Sequence, residues 1–511
     1  MLRKSILLAL LFCSFLGFSQ TKEITFPKKL SQKTVMTFDY LSVNMPDGEV
    51  NMGLTGMHYN FKINNWFYTG VGMYGSVNGF RGGLFTLGVD AGIRTTISQN
   101  LFLDTGVHLG GGGGSGAPDG GGAFVLPHFN LGYDFNTFSL EGGYSYINFF
   151  SHGAINSSQL NIALKIPLSF DYSSFKYANK FYDSNAYNSD WRQKSKKHAF
   201  IMRLDNLSLS SGTKDDNGHD LSDKTIRLAG FEFDNYVTNN SFVYVRADGA
   251  YHGIPAGFMD VVLGIGTGVS FNKNRTQLVA KFGLGAAGGG GVDIQGGFII
   301  NPEIAFSQKL FNKLSLYANT GYFLTPNSRF KATTYGVGLR YTSHQGGTLN
   351  ANDKPFTSVK FKGLEINVGQ EIYFNAKRAD NSEQDLYKIL LQAQLYLNKT
   401  VYLAGQTSFA NFGNAGAYAE GVFGLGLSGK PLLNNKLRLF TQFLVGGAGG
   451  GSVSTGQGLI IKPGAGFYYN ISDKLAFRTD LGRVKATGSG LNSSYFNFGL
   501  SYRLAFLTGR N

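Results

Sequence analysis

The stretch that decides the fold is YFNFGLSYRLAF, residues 495–506. Phe496, Phe498, Leu500, Tyr502, Leu504 and Phe506 alternate with Asn497, Gly499, Ser501, Arg503 and Ala505. A period of two places successive side chains on opposite faces of a strand. Two earlier stretches do the same. Leu160, Ile162, Leu164, Ile166 and Leu168 oppose Asn161, Ala163, Lys165 and Ser169, while Tyr335, Val337, Leu339 and Tyr341 oppose Gly336, Gly338 and Arg340. In a soluble sandwich the solvent face would carry Lys, Glu and Thr. Large apolar residues outside and small or polar ones inside are the pattern of a transmembrane β-barrel.

Working outward, each such strand closes a longer repeat. A glycine-rich hairpin recurs three times, as GVHLGGGGGSGAPDGGGAFVLP ending at Pro127, FGLGAAGGGGVDIQGGFIINP at Pro302 and FLVGGAGGGSVSTGQGLIIKP at Pro463. Recurrence at this spacing marks three copies of one unit. An ungapped alignment sets the segment from Tyr68 against those from Tyr244 and Tyr402. Each follows a tight turn four residues upstream, at Asn64-Asn65, Asn239-Asn240 and Asn398-Lys399; asparagine tolerates the positive φ that short hairpins need. Counting turn to turn predicts about eight strands per copy, the smallest known barrel. The expected organisation is a signal peptide at 1–19, modules at 33–170, 198–343 and 358–511, and periplasmic linkers at 171–197 and 344–357. The alternative is one fused barrel of about 24 strands, also within the known range. Short turns then face the periplasm and long loops the exterior. The prolines fall in the apolar register and, lacking an N–H, predict a bulge below each external loop.

The opening MLRKSILLALLFCSFLGFSQ has a basic start, a short apolar core and a small-x-small cleavage site, the pattern of a secretory signal. Cys13 is the sole cysteine and leaves with it, so no disulfide is expected. Of 511 residues 71 are Gly, 44 Phe and 27 Tyr, while 15% are charged; no amphipathic helical period stands out. The formal charge of +14 would suit nucleic acid, but export removes that partner and leaves lipopolysaccharide and anionic lipid headgroups. The first linker concentrates Lys176, Lys180, Arg192, Lys194, Lys196 and Lys197, read by default as a solvated junction.

Each copy resembles the small eight-stranded outer-membrane barrels of Gram-negative bacteria. The resemblance covers nearly all of the mature chain and rests on pattern. It implies residence in the outer membrane and insertion by the barrel-assembly machinery, which in that family reads the final strand. Residues 495–506 fit such a signal, although the chain runs on through Leu507–Asn511.

Candidate chemistry is sparse. The glycine blocks lack the Gly-Lys-Ser/Thr and the following helix of a phosphate loop, and Gly288–Asp293 matches the start of a calcium nonapeptide only once. His152, between Ser151 and Gly153 and with Glu141 on the preceding strand, is the nearest approach to the site of a lipid A deacylase, but Ala154 stands where that family's motif would place its serine. No catalytic, cofactor or metal residue is assigned. Lys165, Arg340 and Arg503 are read as one inward register, with Glu141, Glu303 and Asp480 as partners. Two readings follow, a structural ion pair that holds each barrel shut or a selectivity ring in a channel. The expected protein is a non-enzymatic, all-β outer-membrane barrel with a structural or interaction role, presenting external loops to an envelope partner. A passive channel through a single wide barrel is the alternative.

Overall fold

The computed structural model describes residues 26–183, 190–254, 256–326, 328–488 and 490–510; the expected signal peptide at 1–19 lies outside them. The regular structure of the described residues is almost entirely strand, with short 3-10 turns at Pro46–Gly48 and Phe175–Tyr177. The first eight strands are β1 (Leu30–Val43), β2 (Met52–Lys62), β3 (Phe67–Asn78), β4 (Phe85–Thr96), β5 (Leu101–Gly113), β6 (Phe124–Asp134), β7 (Ser139–Phe149) and β8 (Asn156–Tyr172). They form a closed barrel, β8 returning to β1 from Leu30↔Tyr172 to Leu41↔Asn161.

The other seventeen strands are one hydrogen-bonded sheet that contains two further closures. After a short β9 (Phe181–Asp183) come β10 (Lys196–Leu209), β11 (Thr225–Tyr236), β12 (Ser241–His252), β13 (Met259–Phe271), β14 (Thr276–Gly288), β15 (Phe298–Lys309), β16 (Leu314–Leu324) and β17 (Lys331–Gln345). Here β17 pairs with β10 from Lys196↔Gln345 to Leu209↔Ala332. Next are β18 (Ser358–Lys377), β19 (Glu383–Tyr396), β20 (Val401–Phe412), β21 (Ala419–Ser428), β22 (Leu437–Gly449), β23 (Leu459–Asn470), β24 (Leu475–Ala486) and β25 (Asn492–Arg510). β25 pairs with β18 from Ser358↔Arg510 to Tyr373↔Tyr495. One ring of about 24 strands would need β8 to pass to β10. The hydrogen bonds instead run inside each set of eight, and the second and third sets share the single pair Gln345↔Thr508.

The alternation holds. Leu160, Ile162, Val337, Leu339, Phe498 and Leu500 are exposed outside, whereas Asn161, Lys165, Arg340, Asn497, Ser501 and Arg503 are buried inside. The internal alignment needs one correction. Each β3-type strand lays a ring over a glycine of the next strand: Tyr68 opposite Gly92, Phe242 opposite Gly266 and Tyr402 opposite Gly426. A Cβ on those glycines would lie 2.3, 2.3 and 2.0 Å from the ring. The counterpart of Tyr68 in the second set is therefore Phe242, two residues before Tyr244. The turn agrees, since Asn64, Thr238 and Asn398 each accept two backbone N–H groups with their side chains. A slip of two leaves every side chain on its own face, so alternation could not detect it.

The prolines break the ladder without a bulge. Pairing between β6 and β7 skips Leu126 and Pro127, then resumes in the same register at His128↔Ser145. The skip recurs at Asn301–Pro302 and at Lys462–Pro463.

The glycine hairpins join the rings to one another. The Gly82 N–H donates to the Gln295 carbonyl, Ala256 to Gly456 and Gly416 to Gly120, at 2.5, 3.3 and 3.0 Å. Donors occupy equivalent places in the three β3–β4-type loops, and acceptors in the three β5–β6-type loops. The contacts therefore run from the first ring to the second, the second to the third and the third to the first, a closed cycle with pseudo-threefold symmetry. Glycine is needed for the approach: a Cβ on Gly288 would meet Gly82 backbone at 2.5 Å, and one on Gly449 would meet Gly257 nitrogen at 2.4 Å. Beside this hub Phe85, Leu87, Ala286 and Phe409 form a buried apolar cluster drawn from all three rings.

The opposite end is asymmetric, and the first junction is not a solvated tether. Phe175 packs on Tyr396, with Arg438 and Arg503 5.6 Å from its ring, so it caps the short-turn end of the third ring. Trp191 is fully buried with Tyr182, Phe356, Val359, Phe361, Ala505 and Leu507, and its indole N–H donates to Pro27 O at 2.8 Å. The chain beyond the closing signal belongs to this base: Leu507 O accepts from Gly346, and Gly509 O from the Lys313 ammonium.

Candidate functional site: the barrel interiors

Each ring is filled by side chains that enter a narrow lumen, several lying over glycines of nearby strands, such as His58 over Gly72 and Tyr495 over Gly464. The fillings differ. In the second ring Arg203 meets Asp205, Glu232 and Glu303 at 2.5, 2.5 and 2.7 Å, and Lys281 meets Glu232 and Glu303 at 2.8 and 2.5 Å. Arg246 adds Asp248 at 2.8 Å and Asp260 at 3.1 Å. In the third, Lys388 and Lys462 alternate with Glu371 and Glu420 in a four-membered cycle, every contact between 2.6 and 2.9 Å. Those four side chains are fully buried. Because each charge faces an opposite one, removing a single partner would strand a buried ion, at a cost of about 3–5 kcal/mol.

The first ring is built differently. Near the short-turn end, Lys165 sits 2.7 Å from Asp104 and 3.0 Å from Glu141. Tyr68 donates to Asp104 at 2.7 Å, and His128 Nε2 lies 3.1 Å from it. Above them a cavity of ≈ 40 Å³ is lined by Asp39, His58, Tyr74, Asp90 and His108, among others. His58 Nδ1 lies 3.1 Å from both Asp90 oxygens, and His108 Nδ1 lies 2.7 Å from Asp90 Oδ1. Donor atoms of His58, Asp90 and His108 fall within 4.8 Å of one another, the spacing of metal ligands.

Of the expected ion pairs, Lys165–Glu141 forms, and Lys165 takes Asp104 as a closer partner. Arg340 does not meet Glu303. It bonds Asp234 at 3.0 Å and Gln277 at 3.0 Å, while Glu303 is taken by Arg203, Lys281 and Arg246. Arg503 does not meet Asp480 either; it donates to Asn470 Oδ1 and Ser472 O, and Asp480 faces Arg478 at 3.2 Å. Nor do the three cations share one register. Lys165 and Arg340 are equivalent, opposite Thr37 and Ile201, but Ser501 opposite Asn367 holds that place in the third ring. Arg503 sits two residues further along. Strand parity marked all six residues as inward, and it equally marks Asp104, His58, Asp90, His108, Arg203, Lys281, Lys388 and Lys462. What parity cannot supply is height along the barrel, which selects partners. His152 is an exposed loop residue with φ of 62°, while Glu141 is in the lumen with Lys165, so the two form no unit.

The class defined by this fold is an all-β protein of closed, side-chain-filled barrels. No family model matches the chain, and no curated protein matches it. Solved structures similar in part include Pseudomonas aeruginosa OpdQ, at 9% identity over 93% of this chain and 98% of that chain, with a TM-score of 0.21. A ferric enterobactin receptor of Pseudomonas aeruginosa (PfeA) is 8% identical over 94% and 82%, with a TM-score of 0.28. The siderophore receptor PirA of Acinetobacter baumannii is 9% identical over 94% and 81%, with a TM-score of 0.27. Likeness at this level carries no cargo or partner over to this chain.

Proposed function

We propose that the chain is an integral outer-membrane protein made of three separately closed eight-stranded barrels, locked side by side, whose role is structural or interaction-based. Membrane residence rests on the exposed apolar outer faces: Leu160, Ile162, Ile265, Ile304, Val337 and Leu500 stand in open contact with the surroundings, a large penalty in water and none in lipid. The scaffold reading rests on one observation, that ion pairs and aromatic rings fill the lumens. Wide aqueous pores are lined by solvated polar chains, whereas Lys388, Lys462, Glu371 and Glu420 are sealed from solvent. The hub then serves to hold the long-loop ends in one fixed constellation, a rigid surface for an envelope partner. Lipid and lipopolysaccharide surround the outer faces, and the barrel-assembly machinery inserts the chain by reading its last strand. The test is electrical. Protein purified from outer-membrane fractions and reconstituted in planar bilayers is expected to give no stable, solute-dependent conductance. Porin-like steps would replace this reading with the passive channel.

A further inference from the structure

The first ring departs from the other two at one level of its lumen. Following the register around each ring, His58 corresponds to Glu232 and Gln392, Asp90 to Gly264 and Gly424, and His108 to Gly283 and Leu444. Neither of the other rings carries this donor set. They neutralise their buried carboxylates with Arg203, Arg246, Lys281, Lys388 and Lys462. In the first ring, Asp39 and Asp90 have only histidines as ion-pair partners among the described residues, and Lys165 pairs with Asp104 and Glu141.

We propose that His58, His108 and Asp90 form a binding site for a zinc-type divalent cation, enclosed in the first barrel. Nδ1 of each imidazole and the Asp90 carboxylate supply three ligands. Their separations, 3.1 and 2.7 Å from nitrogen to oxygen, approach the edge of about 3.3 Å of a tetrahedron with 2.0–2.1 Å bonds. Two imidazoles and a carboxylate select a first-row divalent metal over calcium or magnesium, which prefer all-oxygen shells. The surroundings fit the same role. His58 Nε2 faces Asp39 Oδ1 at 3.6 Å, and Tyr74 donates to Asp39 Oδ2 at 2.6 Å. An outer carboxylate usually supports a ligating histidine in such a site; here Asp39 acts by charge, because His58 Nε2 and Asp39 Oδ1 make no hydrogen bond among the described residues. One divalent ion with two neutral imidazoles also balances the two carboxylates. His108 is 2% exposed, and the cavity of ≈ 40 Å³ that it lines with Asp90 has room for water at the fourth position.

The experiment uses the full-length protein in detergent, stripped with a chelator and titrated with Co²⁺, then with Zn²⁺. One equivalent per chain is expected, with the visible absorption of tetrahedral Co²⁺ lost as Zn²⁺ displaces it. X-ray absorption at the zinc edge should show imidazole scattering. His58→Gln and His108→Gln should each weaken binding more than tenfold, while His128→Gln, outside the triad, should keep it. Mobility of the unboiled protein on a denaturing gel reports folding of each variant. Absence of binding by the wild-type chain at micromolar metal overturns the site, whatever the variants do. So does Co²⁺ binding of equal strength in the folded His58→Gln/His108→Gln double variant, which would place an adventitious ion elsewhere.

Discussion

The two ends of the molecule are joined by opposite means. At the long-loop end three equivalent backbone hydrogen bonds link glycine hairpins in a cycle, with a small apolar cluster from all three rings beside them. At the short-turn end one unrepeated aromatic cluster around Trp191 gathers the N-terminal segment, both junctions and the tail of β25. Repetition of a sequence can produce only the first kind of contact. The second needs residues that occur once, in the segments that connect the copies. A cyclic hub fixes which ring touches which, and the base ties the chain's ends to that arrangement.

Trp191→Ala removes a fully buried ring and its hydrogen bond to Pro27, and is expected to cost about 3–5 kcal/mol. The gel-mobility transition on heating should fall markedly; an unchanged transition would show that the base is an ornament on a hub that suffices alone. A smaller loss, about 1–3 kcal/mol from overpacking, is expected for Gly449→Ala, whose Cβ would press on Ala256 and Gly257. Gly288→Ala, at the equivalent contact between the first and second rings, should behave alike, with added cost from its φ of +150°. Tolerance of both would deny the hub its role.

The smallest effect is a pH dependence at the hub. Asp119 lies in the β5–β6 loop, where burial lifts its carboxyl to about 7. It still accepts the Gly114 N–H at 2.8 Å and lies against Gly416 of the third ring. A carboxyl whose pKa is raised on folding favours the folded state while protonated. That advantage is complete below the ordinary aspartate range and disappears as pH rises through about 7. The heat-driven mobility shift should therefore come at higher temperature at pH 6 than at pH 8. Asp119→Asn should flatten the difference; a wild-type transition indifferent to pH would refute the assignment.

Much of this was legible in the chain. Parity in residues 160–168, 335–341 and 495–506 determines strand, outer face and inner face, because covalent geometry alternates side chains whatever the surroundings. The glycine blocks recur three times along the chain, which is what leads the sequence to an expectation of three copies. Three matters required the tertiary structure. The two-residue slip between Tyr244 and Phe242 was invisible because a shift of two preserves parity, and only pairing across strands reveals it. Partners for Arg340 and Arg503 depend on height inside a closed ring, set by the stagger between strands that are distant in sequence. The triad of His58, Asp90 and His108 draws on β2, β4 and β5, three strands whose inward residues converge only once the sheet has curled shut.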